Sequence, residues 1–389
     1  MQEKSHIKSI TDYSNLIAAI ATIASCDIAL GFTFQLLPLL MEKQHIPAWI
    51  IGLNTAMGPI GIVLAGPILP PIIGRVGPKR MAYCAVAFIM TALILFKSLP
   101  YLYVWFPLRF CFGIATGALF TISEAWILTF AGRGNRGRIM GIYTSVMAIS
   151  FSTGPFILPL TGTDGWSPWL IGILCLALGT LPLAFVEVND DLFHDEVGGG
   201  FLRVIRRAPL LLFAVGTATL FDSVFISFFS IFGLRSGLSL QTASWLLGAG
   251  IIGNTLFQFL IGSLSDRWSR VGVVACSAVI TIISASALIF VVHSWLIWPT
   301  VIILATSAFA VYVVALATMG DTFKGADLIA ASAAFSAMWG VGGLLGPPVV
   351  GAAIDRFGIN AMPISLALIY VILLIGLAIN GGRLIRGET

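Results

Sequence analysis

Residues 209–234 read PLLLFAVGTATLFDSVFISFFSIFGL, with a single charged side chain, Asp222. About twenty apolar residues in helical form cross the hydrocarbon core of a bilayer. A run this continuous lacks the alternation of a membrane-barrel strand. The stretch therefore reads as a transmembrane helix, and the rest of the chain repeats the pattern. Of 389 residues, 21 are basic and 17 acidic, and 58% are hydrophobic. Soluble domains average about a quarter charged residues, so a water-soluble enzyme is excluded on composition.

Reading the apolar runs against their polar punctuation predicts twelve spans, at about 14–41, 47–73, 79–99, 101–131, 137–161, 167–187, 209–234, 241–265, 271–293, 295–320, 327–354 and 360–381. The longest polar interruption, with Asp190, Asp191, Asp195, Glu196 and Gly198–Gly200, reads as a linker. The expectation is an all-α membrane protein of twelve transmembrane helices in two pseudo-symmetric six-helix halves, 1–187 and 209–389, joined by a cytoplasmic linker at 188–208. Sixteen of the 21 basic residues fall in connections on the side of the N-terminus. Lys43, Lys97, Arg235 and Arg356 fall on the other, and Arg109 lies inside a span. By the positive-inside rule both termini face the cytoplasm, in an inner-membrane protein. The start, Met1 to Asn15, is polar, so no cleavable signal peptide is expected.

Three landmarks recur at nearly one spacing. Arg75 after span 2 and Arg267 after span 8 are 192 apart, as are Gly154-Pro155 in span 5 and Gly346-Pro347 in span 11. Asp27 in span 1 and Asp222 in span 7 differ by 195. Parallel halves of this kind are a recurrent transporter plan, with cargo bound near the midplane between them.

Other chemistries find no support in the residues. The five cysteines lie in apolar runs without a CxxC pair, and the four histidines never pair at ligand spacing. No GxxxxGK[ST] loop occurs, and no nucleophile, paired-acid or metal-ligand set shares one depth. The chain is expected not to be an enzyme and to need no cofactor beyond a coupling proton. Its expected partners are a small solute and the bilayer, not nucleic acid, and it is expected to act as a monomer.

Several motifs resemble the major facilitator superfamily. Gly262-Ser263-Leu264-Ser265-Asp266-Arg267 is similar to its cytoplasmic G-x-x-x-D-R signature. The first-half copy departs from it, with Pro70 and Gly74 at the glycine and aspartate positions but Arg75, Gly77, Lys79 and Arg80 kept. Arg109 to Gly113 resembles the family's R-x-x-x-G pattern. Ser123 to Ile127 (SEAWI) and residues 330–358 (AASAAFSAMWGVGGLLGPPVVGAAIDRFG) resemble its YcaD-like branch. The resemblance covers essentially the whole chain and implies secondary active transport by alternating access. It also implies that Arg75, Asp266 and Arg267 belong to a cytoplasmic gate, with more of the gating in the second half.

Ionisable groups at membrane depth are costly and usually mark function. Asp27, Arg109, Glu124 and Asp222 are the four here. Counting from the span ends puts Asp27 and Arg109 within side-chain reach. A switchable ion pair between them would alter proton affinity as the helices move; a permanent structural pair is the alternative. Asp222 is a second candidate for proton or cargo contact. Glu124, 15 residues beyond Arg109 and so about 22 Å along the helix, either takes a proton or makes a structural hydrogen bond. Gln35, two turns beyond Asp27, and Asn254 with Gln258 at i, i+4 spacing are candidate cavity walls. Gly154, Pro155, Gly346 and Pro347 are expected to bend their helices or to pack closely. Two rival functions remain: an uncoupled facilitator, and a non-transporting receptor or scaffold.

Overall fold

The computed structural model describes residues 2–130, 136–185, 208–323 and 326–379. Twelve long helices occur among them: α1 (Gln2–Lys43), α2 (Ala48–Val76), α3 (Pro78–Ser98), α4 (Leu102–Phe130), α5 (Arg136–Thr161), α6 (Ser167–Thr180), α7 (Pro209–Arg235), α8 (Leu240–Arg267), α9 (Arg270–Val291), α10 (Ile297–Thr322), α11 (Ala326–Phe357) and α12 (Ala361–Ile379). Eleven contain a run long and apolar enough to cross a membrane. The twelfth, α8, carries Asn254 and Gln258 in its middle. The expected linker lies almost wholly in 186–207, outside the described residues.

Local chemistry sets the ends. α2 stops at Gly77, whose φ of 90° suits glycine, and Pro78 opens α3 where its missing N–H costs nothing. Ser239 and Ser269 cap α8 and α9, each accepting from the backbone N–H three residues on, at 3.0 Å. One boundary differs from the sequence reading. The sixth span, expected to run unbroken over 167–187, becomes 3-10 from Leu181 to Phe185. Pro182 has no N–H for a helical bond, and Leu181 donates instead to Leu178.

The contacts divide the chain into two compact units: Met1–Leu36 with Met57–Glu196, and Leu37–Ala56 with Val197–Thr389. The sequence division runs strictly along the chain, whereas the contacts place the α1–α2 turn in the second unit. In the first unit, α3 packs on α4 and α6, and α5 packs on α4 and α6. Its aromatic core joins Phe32, Phe96 and Trp169, with Phe96–Trp169 stacked at 6.2 Å. In the second, α7 contacts α8, α10, α11 and α12, and α9 packs on α10 and α12. Along α7, Phe221 stacks on Phe225 at 5.3 Å and Phe225 meets Phe229 at a tilt at 4.9 Å, each a turn apart.

Lipid is as apolar as the helices, so close backbone packing must hold each unit together. Glycines supply it. A Cβ at Gly154 would lie 2.3 Å from the Phe32 nitrogen, and one at Gly31 would lie 2.2 Å from the Phe151 oxygen, so α5 crosses α1 backbone to backbone. At Gly342 a Cβ would meet Leu220 N at 2.6 Å, which brings α11 equally close to α7. The two crossings join matching helices of the repeat. α1 and α7 are also the most enclosed helices. In their most apolar windows 72% and 78% is buried, against 61% or less in the other nine of the eleven spans.

Candidate functional site

Asp27 sits on enclosed α1 and is 2% exposed. Its Oδ2 has no hydrogen-bond partner among the described residues. Two contacts fix how α1 lies against α4: Cys26 Sγ meets Thr116 Oγ1 at 4.0 Å, and the Arg109 guanidinium lies 5.0 Å from the centre of the Phe34 ring. The helices run antiparallel, so residue numbers across the seam sum to 142 or 143. Asp27 is thus opposite Thr116, and Arg109 opposite Phe34, seven residues or about 10 Å apart along the axis.

The ion pair expected between Asp27 and Arg109 would have to span that offset along the α1–α4 seam. Arg109 is 3% exposed and keeps Phe34 as a cation–π partner, with Gly58 leaving room beside its Nε. Gln35, one residue beyond Phe34, is 1% exposed.

By the same register Glu124 lies about eight residues beyond Asp27, near residue 18 of α1. It is exposed. Its neighbour Ser123 bonds the Tyr143 hydroxyl of α5 at 3.1 Å, and that phenol is within Coulombic reach of both Glu124 and Asp27. Sequence reasoning missed Tyr143. Nothing local marked it, since it meets Ser123 only through the α4–α5 packing.

In the second unit Asp222 is half-buried on α7, within Coulombic reach of Tyr312 and Tyr370. The Tyr370 hydroxyl donates to Ala308 O at 2.8 Å, and its ring meets Phe221 edge-on. Asn254 and Gln258 come together as their spacing implied, at 3.4 Å, and both are half-buried.

Of the gate candidates, Arg75 and Arg267 are exposed at the ends of α2 and α8. The Asp266 side chain lies outside the described residues. An ion pair not anticipated from sequence, Arg270 with Asp321, ties the start of α9 to the end of α10. Gly154, Pro155, Gly346 and Pro347 are all buried, and both glycines stand at helix crossings. Among the described residues no three His, Cys, Asp or Glu side chains group as metal ligands.

The sequence model of the Major Facilitator Superfamily matches residues 17–235 and 211–381. The chain belongs to the Major Facilitator Superfamily. It is similar to YcaD of Escherichia coli, described as an uncharacterized MFS-type transporter, with 26% identity over 92% of this chain and 93% of that protein. YE1530 of Yersinia enterocolitica, described likewise, is 25% identical over 90% of this chain and 92% of its own. YfkF of Bacillus subtilis is 26% identical over 62% of this chain, and that match spans 63% of YfkF. Among solved structures, the nucleoside transporter NupG matches with a TM-score of 0.79 at 13% identity, over 94% of this chain and 98% of that one. A bacterial homologue of the lysosomal transporter Spinster matches with a TM-score of 0.68 at 15% identity, over 98% and 97%. At such identities the likeness shows the shared fold. As a superfamily member the protein is a multi-pass membrane transporter, not an enzyme.

Proposed function

We propose that this transporter moves a small solute across the cytoplasmic membrane by alternating access, coupled to protons, with both termini in the cytoplasm. The carrying observation is Asp27: a carboxyl 2% exposed, inside the most enclosed helix of its unit, with an oxygen that no described group satisfies. An unpaired charge at such a site costs several kcal/mol, so water access governs whether the group holds its proton. A conformational cycle that wets and dries α1 then loads and unloads a proton.

In this reading the halves 1–187 and 209–389 rock about the linker at 188–208. Arg109, Glu124 and Asp222 are the further ionisable groups of the pathway, and Gln35, Asn254 and Gln258 contribute to the cavity wall. Arg75, Asp266 and Arg267 act at the cytoplasmic gate, while the Gly154-Pro155 and Gly346-Pro347 steps let their helices flex. The excess of basic residues in connections on the N-terminal side supports the orientation.

The test is reconstitution in liposomes loaded with a pH-sensitive dye, with pooled metabolites, nucleosides and amphiphilic cations as cargo. Cargo-dependent proton movement in the wild type, lost in Asp27→Asn while cargo binding persists, is the expected result. Cargo flux without proton movement, unchanged in Asp27→Asn, rejects coupling and leaves a facilitator. Proton and cargo flux both intact in Asp27→Asn rejects the role of that residue.

A further inference from the structure

Charge is scarce inside the second unit. Between their end turns, α7 to α12 carry a single charged residue, Asp222. No hydrogen bond or ion pair reaches its carboxylate among the described residues. It is also the one opening in its stretch of helix, since from Phe221 to Gly233 every other residue is buried. Its repeat mate in the first unit, Asp27, is 2% exposed. One acid of the pair is dry and the other is open to water.

The surroundings of Asp222 are aromatic and soft. Phe221 beside it meets Tyr370 of α12 edge-on at 6.2 Å, and the Tyr370 hydroxyl is committed to Ala308 O. Tyr312 of α10 is within Coulombic reach of Asp222, and its ring lies 5.1 Å from that of Phe309. Tyr312 and Phe309 are both half-buried. Met338 of α11 is held one turn before the acid, where the Thr219 hydroxyl donates to Met338 O at 3.1 Å. A Cβ at Gly216 would lie 3.8 Å from Met338 Sδ. Tyr312 and Met338 pack on one buried apolar cluster that includes Leu212, Val215 and Met319. Within about a turn of one level, α7, α10 and α11 thus gather one carboxylate, two half-buried aromatic rings and a thioether.

We propose that this cluster is a cargo subsite for a monovalent organic cation with an apolar body, Asp222 taking the charge and Tyr312, Phe309 and Met338 the body. The proposal rests on the transporter reading above and names the class of its cargo. When cargo displaces water, the carboxylate loses its hydration, and only a positive group compensates that loss. A neutral solute leaves the charge bare, and an anion is repelled. Aromatic faces attract a cation as well as an apolar surface, and a thioether adapts to bodies of differing shape. A divalent metal ion fits poorly. Such an ion takes about six or more oxygen ligands, and no three acidic, His or Cys side chains group together among the described residues. The two repeat-related acids then divide the work: Asp27 holds a proton because water is excluded, and Asp222 meets cargo because water is not.

The test is equilibrium binding of tritiated tetraphenylphosphonium to purified full-length protein in detergent, read by scintillation proximity so that only protein-bound probe counts. Saturable binding is expected, displaced by unlabelled tetraphenylphosphonium and far less well by neutral triphenylphosphine oxide. Asp222→Asn keeps the shape, removes the charge and should weaken binding about tenfold or more. Asp222→Glu, which keeps the charge, should retain most of the affinity. Tyr312→Leu should weaken binding about two- to fivefold, while Tyr312→Phe keeps the ring and should match wild type. Thermal midpoints show which variants fold, and if Asp222→Asn does not, the Tyr312 pair and the neutral competitor decide. Absence of saturable binding, undiminished binding by folded Asp222→Asn, or equal displacement by triphenylphosphine oxide overturns the subsite. Equilibrium binding needs neither a proton gradient nor turnover. Loss of the coupling reading in liposomes therefore leaves this result standing, and loss of phosphonium binding leaves coupled transport of an uncharged cargo.

Discussion

Replacing Gly154 with alanine tests whether the α1–α5 crossing is held by backbone contact. The added Cβ would lie 2.3 Å from Phe32 N, 2.5 Å from Gly31 C and 2.9 Å from Gly31 Cα. Ordinary contact begins near 3.4 Å, so the helices must part by about 1.1 Å at this point. All three obstacles are backbone, and no side chain can swing aside. Overpacking of this kind costs about 1–3 kcal/mol, and α1 has little freedom to yield because its other faces are also enclosed. Gly66→Ala is the control: a Cβ there meets nothing within 4 Å, and the residue is inside a helix. Both glycines precede a proline inside a helix, so each change carries the same crowding of the new Cβ against the proline ring, and only Gly154→Ala adds the crossing. Thermal midpoints measured in one detergent by the loss of monodisperse protein give the comparison. Gly154→Ala is expected well below Gly66→Ala. A Gly154→Ala midpoint equal to that of Gly66→Ala would refute the close crossing.

Ser239→Ala removes the cap of α8 and should cost about 0.5–2 kcal/mol, seen in the same thermal assay, with Ser239→Asp close to wild type. Cys84, Cys111 and Cys276 are exposed while Cys26 is fully buried. In detergent solution a maleimide should therefore reach Cys26 only after denaturation, as read by peptide mass. Arg109→Met should fold with a thermal midpoint close to wild type, because exchanging a buried charge for an apolar side chain of similar volume is commonly neutral or stabilising, yet it should abolish transport in the liposome assay. A collapsed midpoint in Arg109→Met would make the arginine a structural residue instead.

The span pattern was legible because a bilayer imposes one length and one composition on every crossing. Asn254 and Gln258 met as read, since both lie on one helix and intrahelical spacing is fixed. Distances between helices are a different matter. Asp27 and Arg109 lie on antiparallel helices whose relative slide depends on where Cys26 meets Thr116 and Phe34 meets Arg109, and neither contact has a signature within its own segment. Ser123 with Tyr143, and the Asp355 carboxylate with the Ala48 N–H that donates to it, were unreadable for the same reason. The second of these joins residues 307 positions apart. What did hint at Asp355 was its local form: Asp355-Arg356 closes a helix just as Asp266-Arg267 does. An aspartate in a last turn is unfavourable towards its own helix dipole, which is a reason to look for another helix start that it serves.

The repeat shows which parts of the site are scaffold and which are additions. Gly58, Phe34 and Arg109 meet in the first unit: a Cβ at Gly58 would lie 3.8 Å from Phe34 Cζ and 4.0 Å from Arg109 Nε. In the second unit a Cβ at Gly250 would lie 3.0 Å from Phe225 Cζ and 3.1 Å from Val301 Cγ1. Gly250 and Val301 are each 192 residues beyond their counterparts, and Phe225 is 191 beyond Phe34. The glycine and the phenylalanine are common to both crossings, so close approach and ring packing belong to the duplicated frame. At the third position valine completes the second crossing, fully buried, where the first has arginine. Packing alone is thus satisfied by an apolar branched side chain at this place in the fold. A guanidinium there adds a charge that the frame does not require, and its burial cost makes a role in transport the more economical account of Arg109.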